Sequence, residues 1–509
     1  MTLNLATILR TSASKFSDRP ALHLGDLTLN YGTLHAYAQR FAGALAKLGI
    51  QRGEHVALML PNVPQFPIAY FGAHYAANPV VPLNVLLAPD EIAYHLEDSG
   101  AAALVVWEGF YEHARAGFDR VGSCRQLIVA KASPTDLSAP DGAVNFNAAL
   151  GGATPVTDLP DTMPDDTAVI LYTSGTTGRA KGAELTHFNL FYNADYMSSK
   201  LLPLASTDVA LATLPLFHSF GQTAVQNGLL IRGGALVLLP RFDPQSAFTL
   251  LEKHKITVFA GVPTMYFAML HYPDAHKYDL SALRYCVSGG AAMPVEVMHA
   301  FDRKYNVNVL EGYGLSETSP VASFSVLDRP KKAGSIGLPI WGCEFKLIDD
   351  AGMTITEPKV PGEIRIKGHN VMKGYWKNPE ATAECVKDGW FKTGDVAHVD
   401  EDGYYFIVDR KKDLIIRGGF NVYPREIEEA LYRHPAVLEV AVIGVPDALH
   451  GEEIKAVLAL KPGHSATAED ITAFCKEHLA AYKYPRIVEF MDSLPKGPTG
   501  KILKRALKK

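Results

Sequence analysis

A chain of 509 residues exceeds one ordinary domain, and at roughly 100–200 residues per unit it predicts about three structural units. Apolar residues at 48% and charged residues at 20% match a soluble globular protein with a large core, and a net charge of −5 excludes whole-molecule attraction to nucleic acid. Any polyanion must therefore be held by local donors, and the five scattered cysteines, with no CxxC pair, argue against a disulfide framework or a zinc site.

Residues 1–16 lack a basic segment followed by an apolar stretch, so no leader peptide is predicted. Leu34, Tyr37, Phe41, Leu45 and Leu48 recur at helical spacing, and Gly49 follows as a stop. Strand-length apolar runs then appear at residues 56–60, 103–106, 126–130, 168–172, 209–214, 235–239, 257–260 and 285–287. Alternating with helical patterns, such runs predict an α/β layer fold with covered sheets. The most apolar region, 209–240, is broken by His218, Gln222, Asn227 and Arg232, short of the ~20 uninterrupted residues of a membrane span. A cytoplasmic protein without a transmembrane segment is expected.

From about Gly334 the texture changes to shorter strands and Gly-Asp turns, predicting a small, mainly β subdomain. The basic stretch Asp409-Arg-Lys-Lys-Asp413 precedes a final unit of about a hundred residues. Its first helix is marked by Pro424 at the opening, Glu426, Glu428 and Glu429 early, and Arg433 and His434 late. The expected division is 1–411 and 412–509.

Chemistry concentrates first in Leu171-Tyr-Thr-Ser-Gly-Thr-Thr-Gly-Arg-Ala-Lys-Gly182. Thr173, Ser174, Gly175, Thr176, Thr177 and Gly178 are all glycines or hydroxyl residues directly after a buried-type strand. Glycine lets the backbone approach a ligand, hydroxyls add donors, and Lys181 adds charge, which together suit a polyphosphate. No Gly-Lys-Ser/Thr follows at Walker A spacing. The segment resembles the phosphate-binding motif of the adenylate-forming superfamily: acyl-CoA synthetases, luciferases and peptide-synthetase adenylation domains. The family usually has proline where this chain has Ala180.

The family's other motifs follow in order, from Tyr31-Gly-Thr-Leu34 almost to the last residue. Ser288-Gly-Gly-Ala-Ala292 is similar to the segment lining the adenine and acyl pocket, implying nucleotide contacts by Gly289, Gly290 and Ala291. In Glu311-Gly-Tyr-Gly-Leu-Ser-Glu-Thr318, the resemblance implies that Tyr313 stacks on adenine, Ser316 contacts the α-phosphate and Glu317 holds a magnesium ion, with Glu311 and Gly312 among the nucleotide-binding residues. One carboxylate plus phosphate oxygens is a setting that Mg²⁺ accepts. Asp395, in Trp390-Phe-Lys-Thr-Gly-Asp395, and Arg410 look like the ribose site. Lys412 stands at the family's hinge position, and Gly418 and Gly419 resemble the segment that approaches the pantetheine arm of coenzyme A. Leu494-Pro-Lys-Gly-Pro-Thr-Gly-Lys-Ile502 matches the C-terminal catalytic motif with Lys501 as its lysine.

The resemblance thus implies a large N-terminal domain of layered α/β subdomains with a small β subdomain, and a mobile α+β C-terminal domain. It implies ATP, Mg²⁺ and coenzyme A as cofactor and substrates, with Thr176, Lys181, His218 and Lys501 as the catalytic set. In Pro215-Leu-Phe-His-Ser-Phe220, His218 stands where amino-acid-activating domains carry an aspartate, which favours a plain carboxylic acid. Tyr-Gly-Leu-Ser-Glu-Thr-Ser-Pro is similar to medium- and long-chain fatty acyl-CoA synthetases, so an acyl-AMP-forming fatty acid–CoA ligase is expected. An aryl-CoA ligase of the cinnamate type, a fatty acyl-AMP ligase serving a carrier protein, a luciferase-like oxygenase and a non-catalytic binding protein stay open as alternatives.

Overall fold

The computed structural model describes residues 2–173, 179–497 and 499–508. Two large sheets build the first four-fifths of the chain. One has nine strands, in the order Leu338–Pro339, Val321–Phe324, Val309–Gly314, Tyr285–Gly289, Val258–Gly261, Val209–Ala212, Ala235–Leu238, Pro20–Leu24 and Leu27–Asn30. The central strands run parallel and their residues are almost all buried, because helices cover both faces of the sheet. The second sheet has eight strands, with Thr167–Thr173 and Lys181–Thr186 as an antiparallel pair beside parallel strands.

The helix at 34–48 is observed as Tyr31–Lys47, started by the Asn30 side chain accepting from the Thr33 amide. Helix Gln65–Tyr75 has no exposed polar face: Phe66 through Tyr75 are all buried, and its apolar side chains join the main core. Both large sheets contribute to that single core.

Two of the buried helical stretches are π-helical, Met197–Leu201 and Phe220–Asn227, each fitted with one residue more per turn than an α-helix. In the first, the Leu202 amide donates to the carbonyl of Met197, five residues back, at 2.8 Å.

A six-stranded antiparallel sheet follows, with its own small core around Ile364, Ile366 and Ala397. Its Gly-Asp turns are held by short-range bonds. Asp400 Oδ1 accepts from the amides of Asp402 and Tyr404. The last strand of this sheet ends at Arg410, and the first of the C-terminal sheet begins at Ile415. That five-stranded sheet is backed by helices Pro424–Tyr432 and Ala468–His478, with a separate core around Val440, Val442 and Ile454. Among the described residues no helix is long and apolar enough to cross a membrane.

Candidate functional site

The parallel strands of the nine-stranded sheet all end at one edge, and the loops leaving that edge wall a cavity of about 1360 Å³. Open α/β sheets place ligands at this carboxyl edge because the loops there converge without competing for ladder hydrogen bonds. The six-stranded sheet and the tail from 497 close the other side.

Strand Val309–Gly314 delivers Glu311, Gly312 and Tyr313 to the cavity, and the turn Ser316–Thr318 delivers Ser316 and Glu317. Glu317 is buried, and its Oε1 accepts from the Thr173 hydroxyl at 2.9 Å and the Tyr375 hydroxyl at 3.0 Å. Thr173 is the register partner of Lys181, so the hairpin sets the lysine opposite it; the Lys181 ammonium lies 5.3 Å from the Tyr375 ring centroid. Ser174, Gly175, Thr176, Thr177 and Gly178, singled out in the sequence, lie outside the described residues. A buried carboxylate oriented by two hydroxyls across a hairpin from a lysine is a hard donor of the kind Mg²⁺ takes, so the residues present fit that ion.

On the far side, Asp395 and Arg410 are register partners on adjacent strands, and the Arg410 Nε reaches Asp395 Oδ1 at 3.0 Å. The Tyr313 hydroxyl donates to Asp395 Oδ2 at 2.7 Å, and burial together with that carboxylate pushes the phenol far above its ordinary range. Tyr313 thus stays a neutral donor with its ring fixed in the cavity wall. Glu311 accepts from the Met293 amide at 3.3 Å through Oε1, while Oε2 has no partner among the described residues. Burial is the main cause of its elevation to about 7, partly offset by Arg425. A buried acceptor left open on a cavity wall is a group that a ligand donor would satisfy.

Lys501 enters from the C-terminal tail. Gly497 N donates to the Lys501 carbonyl at 2.8 Å, and the Thr264 hydroxyl donates to the Gly500 carbonyl at 2.9 Å, which moors the turn to the N-terminal body. The side chain then crosses Gly290: a Cβ there would sit 3.1 Å from Lys501 Cε and 3.5 Å from Nζ, and φ is +79°. Only glycine meets both demands without displacing the lysine. Burial first, and Arg410 second, lower Lys501 to about 8, with Asp395 pulling the other way. His218 faces the same space, and burial with the Lys501 charge drives it down to about 3. The Ser219 and Ser316 hydroxyls approach to 3.4 Å beside it.

The expected residues therefore gather around one cavity, with two exceptions among those described. Gly418 and Gly419 form the tip of the exposed hairpin between Ile415–Arg417 and Phe420–Val422, at φ +56° and +82°, and do not line the cavity. Lys412 is exposed at its rim.

Several participants were not legible in the sequence. Tyr375, which holds Glu317, lies on a two-residue strand with no motif of its own. Thr264 sits at a helix start far from residue 500, and only the tertiary fold pairs them. Glu429 accepts from the Val295 amide at 3.3 Å, and Glu428 pairs with Lys504 at 2.8 Å. Those two were readable only as early-turn acids of a helix.

Comparison with known proteins places these features in context. Residues 9–376 match the family described as AMP-binding enzyme, and residues 426–501 match the AMP-binding enzyme C-terminal domain. A long-chain-fatty-acid–CoA ligase of Bacillus subtilis (strain 168) is 38% identical over 525 residues, spanning 99% of this chain and 94% of that protein. A feruloyl-CoA synthase of an Amycolatopsis species is 39% identical over 491 residues, spanning 95% of this chain and 94% of its own. Among solved structures, an anthranilate CoA ligase in complex with anthranoyl-AMP superposes with a TM-score of 0.92 at 30% identity, covering 99% of this chain and 96% of the other.

Proposed function

The chain belongs to the AMP-binding enzyme family, and from that premise we propose that it is an AMP-forming acid–CoA ligase whose site residues act as follows. The carboxylate oxygen of the acid attacks the α-phosphorus of ATP, the bond to the β-phosphate oxygen breaks, and pyrophosphate leaves. Coenzyme A sulfur then attacks the acyl carbon of the acyl-AMP, the bond to AMP breaks, and the thiol proton passes to solvent. Positioning and charge dominate such chemistry, since the protein forms no covalent bond.

Lys501 neutralises the carboxylate and α-phosphate as they meet; its burial and its place over Gly290 support this. Asp395 and Arg410 hold the ribose, the Tyr313 ring packs on adenine, and Glu311 Oε2 accepts from the base. Lys181, with Thr173 and the hydroxyls of 174–178, holds the β- and γ-phosphates. Glu317 is the residue that would hold Mg²⁺, which when bound spreads phosphate charge. In the second step the unit from Lys412 onward turns about that residue, withdrawing Lys501 and bringing Gly418 and Gly419 to the site. Their place outside the cavity in the present arrangement supports two arrangements of one domain. ATP and coenzyme A as substrates imply a cytoplasmic protein.

The acid is a medium- or long-chain fatty acid in this proposal, carried by one observation: beyond Lys501 the cavity continues between apolar walls. An aryl acid is the second reading, favoured by the feruloyl-CoA and anthranilate enzymes among the relatives. Pyrophosphate release with ATP and Mg²⁺ is the test, run over aliphatic and aromatic acids with and without coenzyme A. Coenzyme A-dependent turnover peaking with an aliphatic acid is expected. Release that ignores coenzyme A would instead point to a carrier-protein acceptor.

A further inference from the structure

The apolar part of the cavity has a geometry that sets a length. One wall is the face of the parallel sheet that carries Ala210, Val258, Ala260, Val287 and Gly289 at alternating strand positions. The other is the π-helical stretch Phe220–Asn227, which presents Ala224 and Val225, followed by Leu229. Small residues on both walls leave a slot where larger ones would let the helix and the sheet meet.

The upper end is marked by Phe220. A Cβ on Gly289 would lie 3.0 Å from its ring, so the ring spans the top of the sheet just below Lys501 and Gly290. The lower end is set by Leu229, which packs on Gly234 beside the start of the Ala210 strand (a Cβ on Gly234 would lie 2.8 Å from its Cδ1), and by Met197, whose Cε would lie 2.5 Å from a Cβ on Gly228; Leu202 lines the cavity with them. The π-turn at Met197–Leu201 carries Met197 into the slot and leads directly into Leu202.

Strand register measures the distance between the two ends. Ala210 pairs with Val258, Val258 with Tyr285, and Gly289 lies four residues beyond Tyr285. At about 3.3 Å per residue this is roughly 13 Å. Bonds of about 1.5 Å advance an extended alkyl chain by roughly 1.3 Å per carbon, so the slot accepts about ten carbons. Ala260, the partner of Val287, lies two residues below Gly289, or about five carbons down.

We propose that this slot is a chain-length gauge for an unbranched saturated fatty acid of about eight to twelve carbons, with Ala260 keeping its middle open and Leu229 closing its floor. This rests on the ligase reading and narrows it. The acid is shorter than the name of the Bacillus relative states for that protein.

The experiment is coenzyme A-dependent turnover of saturated acids from four to eighteen carbons, with benzoate and ferulate, by the full chain and by Ala260→Leu and Leu229→Ala. In the unaltered protein kcat/KM should rise by roughly fourfold per carbon, the value of one buried methylene, and stop rising near ten to twelve. Ala260→Leu should lower the decanoate-to-hexanoate ratio of kcat/KM at least tenfold. Leu229→Ala should move the optimum about two carbons longer. An optimum at sixteen or more carbons, an aromatic optimum, or one optimum shared by all three proteins would overturn the gauge while leaving the ligase intact. If Ala260→Leu proves inactive with every acid, the direction of the Leu229→Ala shift decides alone. Absence of coenzyme A-dependent turnover in the unaltered protein would overturn the ligase reading and the gauge with it.

Discussion

The charge that the proposed mechanism places on Lys501 stands in a desolvating site, and that combination is measurable. A lysine lowered to about 8 is cationic below that pH and neutral above it. The adenylation half-reaction should therefore lose kcat/KM as pH rises through about 8, because kcat/KM reports groups of the free enzyme. His218, lowered to about 3, should add no inflection near neutrality. Lys501→Ala should cut pyrophosphate release by roughly 10²–10³-fold, yet spare thioester formation from supplied acyl-AMP. Equal loss in both steps would remove the assigned role. Glu311 shows the opposite sign. Its carboxyl is raised from 4.5 to about 7 in the folded protein, so between those values the folded state binds more protons than the unfolded one and stability falls as pH rises. Glu311→Gln keeps an acceptor for the Met293 amide and removes that penalty, so its melting temperature should exceed the parent's at pH 8 and match it at pH 4.5. A gain that is equal at both pH values would refute the linkage.

Among the elements, the parallel strands were legible because burial on both faces makes them continuous apolar runs, as at residues 103–106 and 126–130. Their order in space was not, since register depends on partners distant in the chain. The strand Gly374–Tyr375, which joins Lys181–Thr186 and brings Tyr375 to Glu317, illustrates this. The π-turns were equally hidden, because an apolar stretch interrupted by polar residues gives no period that separates π from α. The nucleotide motifs were legible because glycines, hydroxyls and charges are concentrated in short segments, whereas the groups that brace them are dispersed. Helix Pro424–Tyr432 makes the point: its acids read only as early residues of a helix, but Glu428 holds the tail beyond Lys501 onto the C-terminal unit and Glu429 ties that unit to the Val295 amide. Lys504 is partly buried, and against that desolvation Glu428 and Asp409 keep its charge above the usual lysine range. Glu428→Gln removes the ion-pair partner of that ammonium and leaves Asp409 as its nearby charge, so the loss should stay below the ~3–5 kcal/mol that breaking a fully buried pair costs. Single-turnover adenylation should slow at least tenfold in this variant, with thioester formation less affected. Unchanged adenylation would show that the pair does not fasten the arrangement.

For the whole molecule, Lys501 lines the cavity while Gly418 and Gly419 lie outside it, and in the proposed mechanism that separation would divide the two half-reactions between two faces of one domain. Gly419 has φ +82° and an open surrounding, so a bulky residue there strains only an exposed hairpin. Gly419→Leu should leave pyrophosphate release within about twofold and reduce acyl transfer to coenzyme A at least tenfold, as separate stopped-flow measurements of the two steps would register. Equal effects on both would argue against a second working face.

The mooring of the tail has a kinetic consequence. The Thr264–Gly500 and Val295–Glu429 contacts are single hydrogen bonds, as are those from Arg425 to the Asp409 carboxylate and the Ile407 carbonyl, each worth about 1 kcal/mol net and somewhat more where a charge takes part. So light a fastening behaves as a timer. In the proposed mechanism it would shield a water-sensitive mixed anhydride for as long as the tail stays seated, then expose it to whichever nucleophile arrives first. An acid that fits poorly would still be activated on occasion, but its anhydride would be uncovered on the same schedule with its acyl carbon misplaced for the thiol. Water would win that race more often, so the strength of a few hydrogen bonds would set how much ATP is spent discarding the wrong acid.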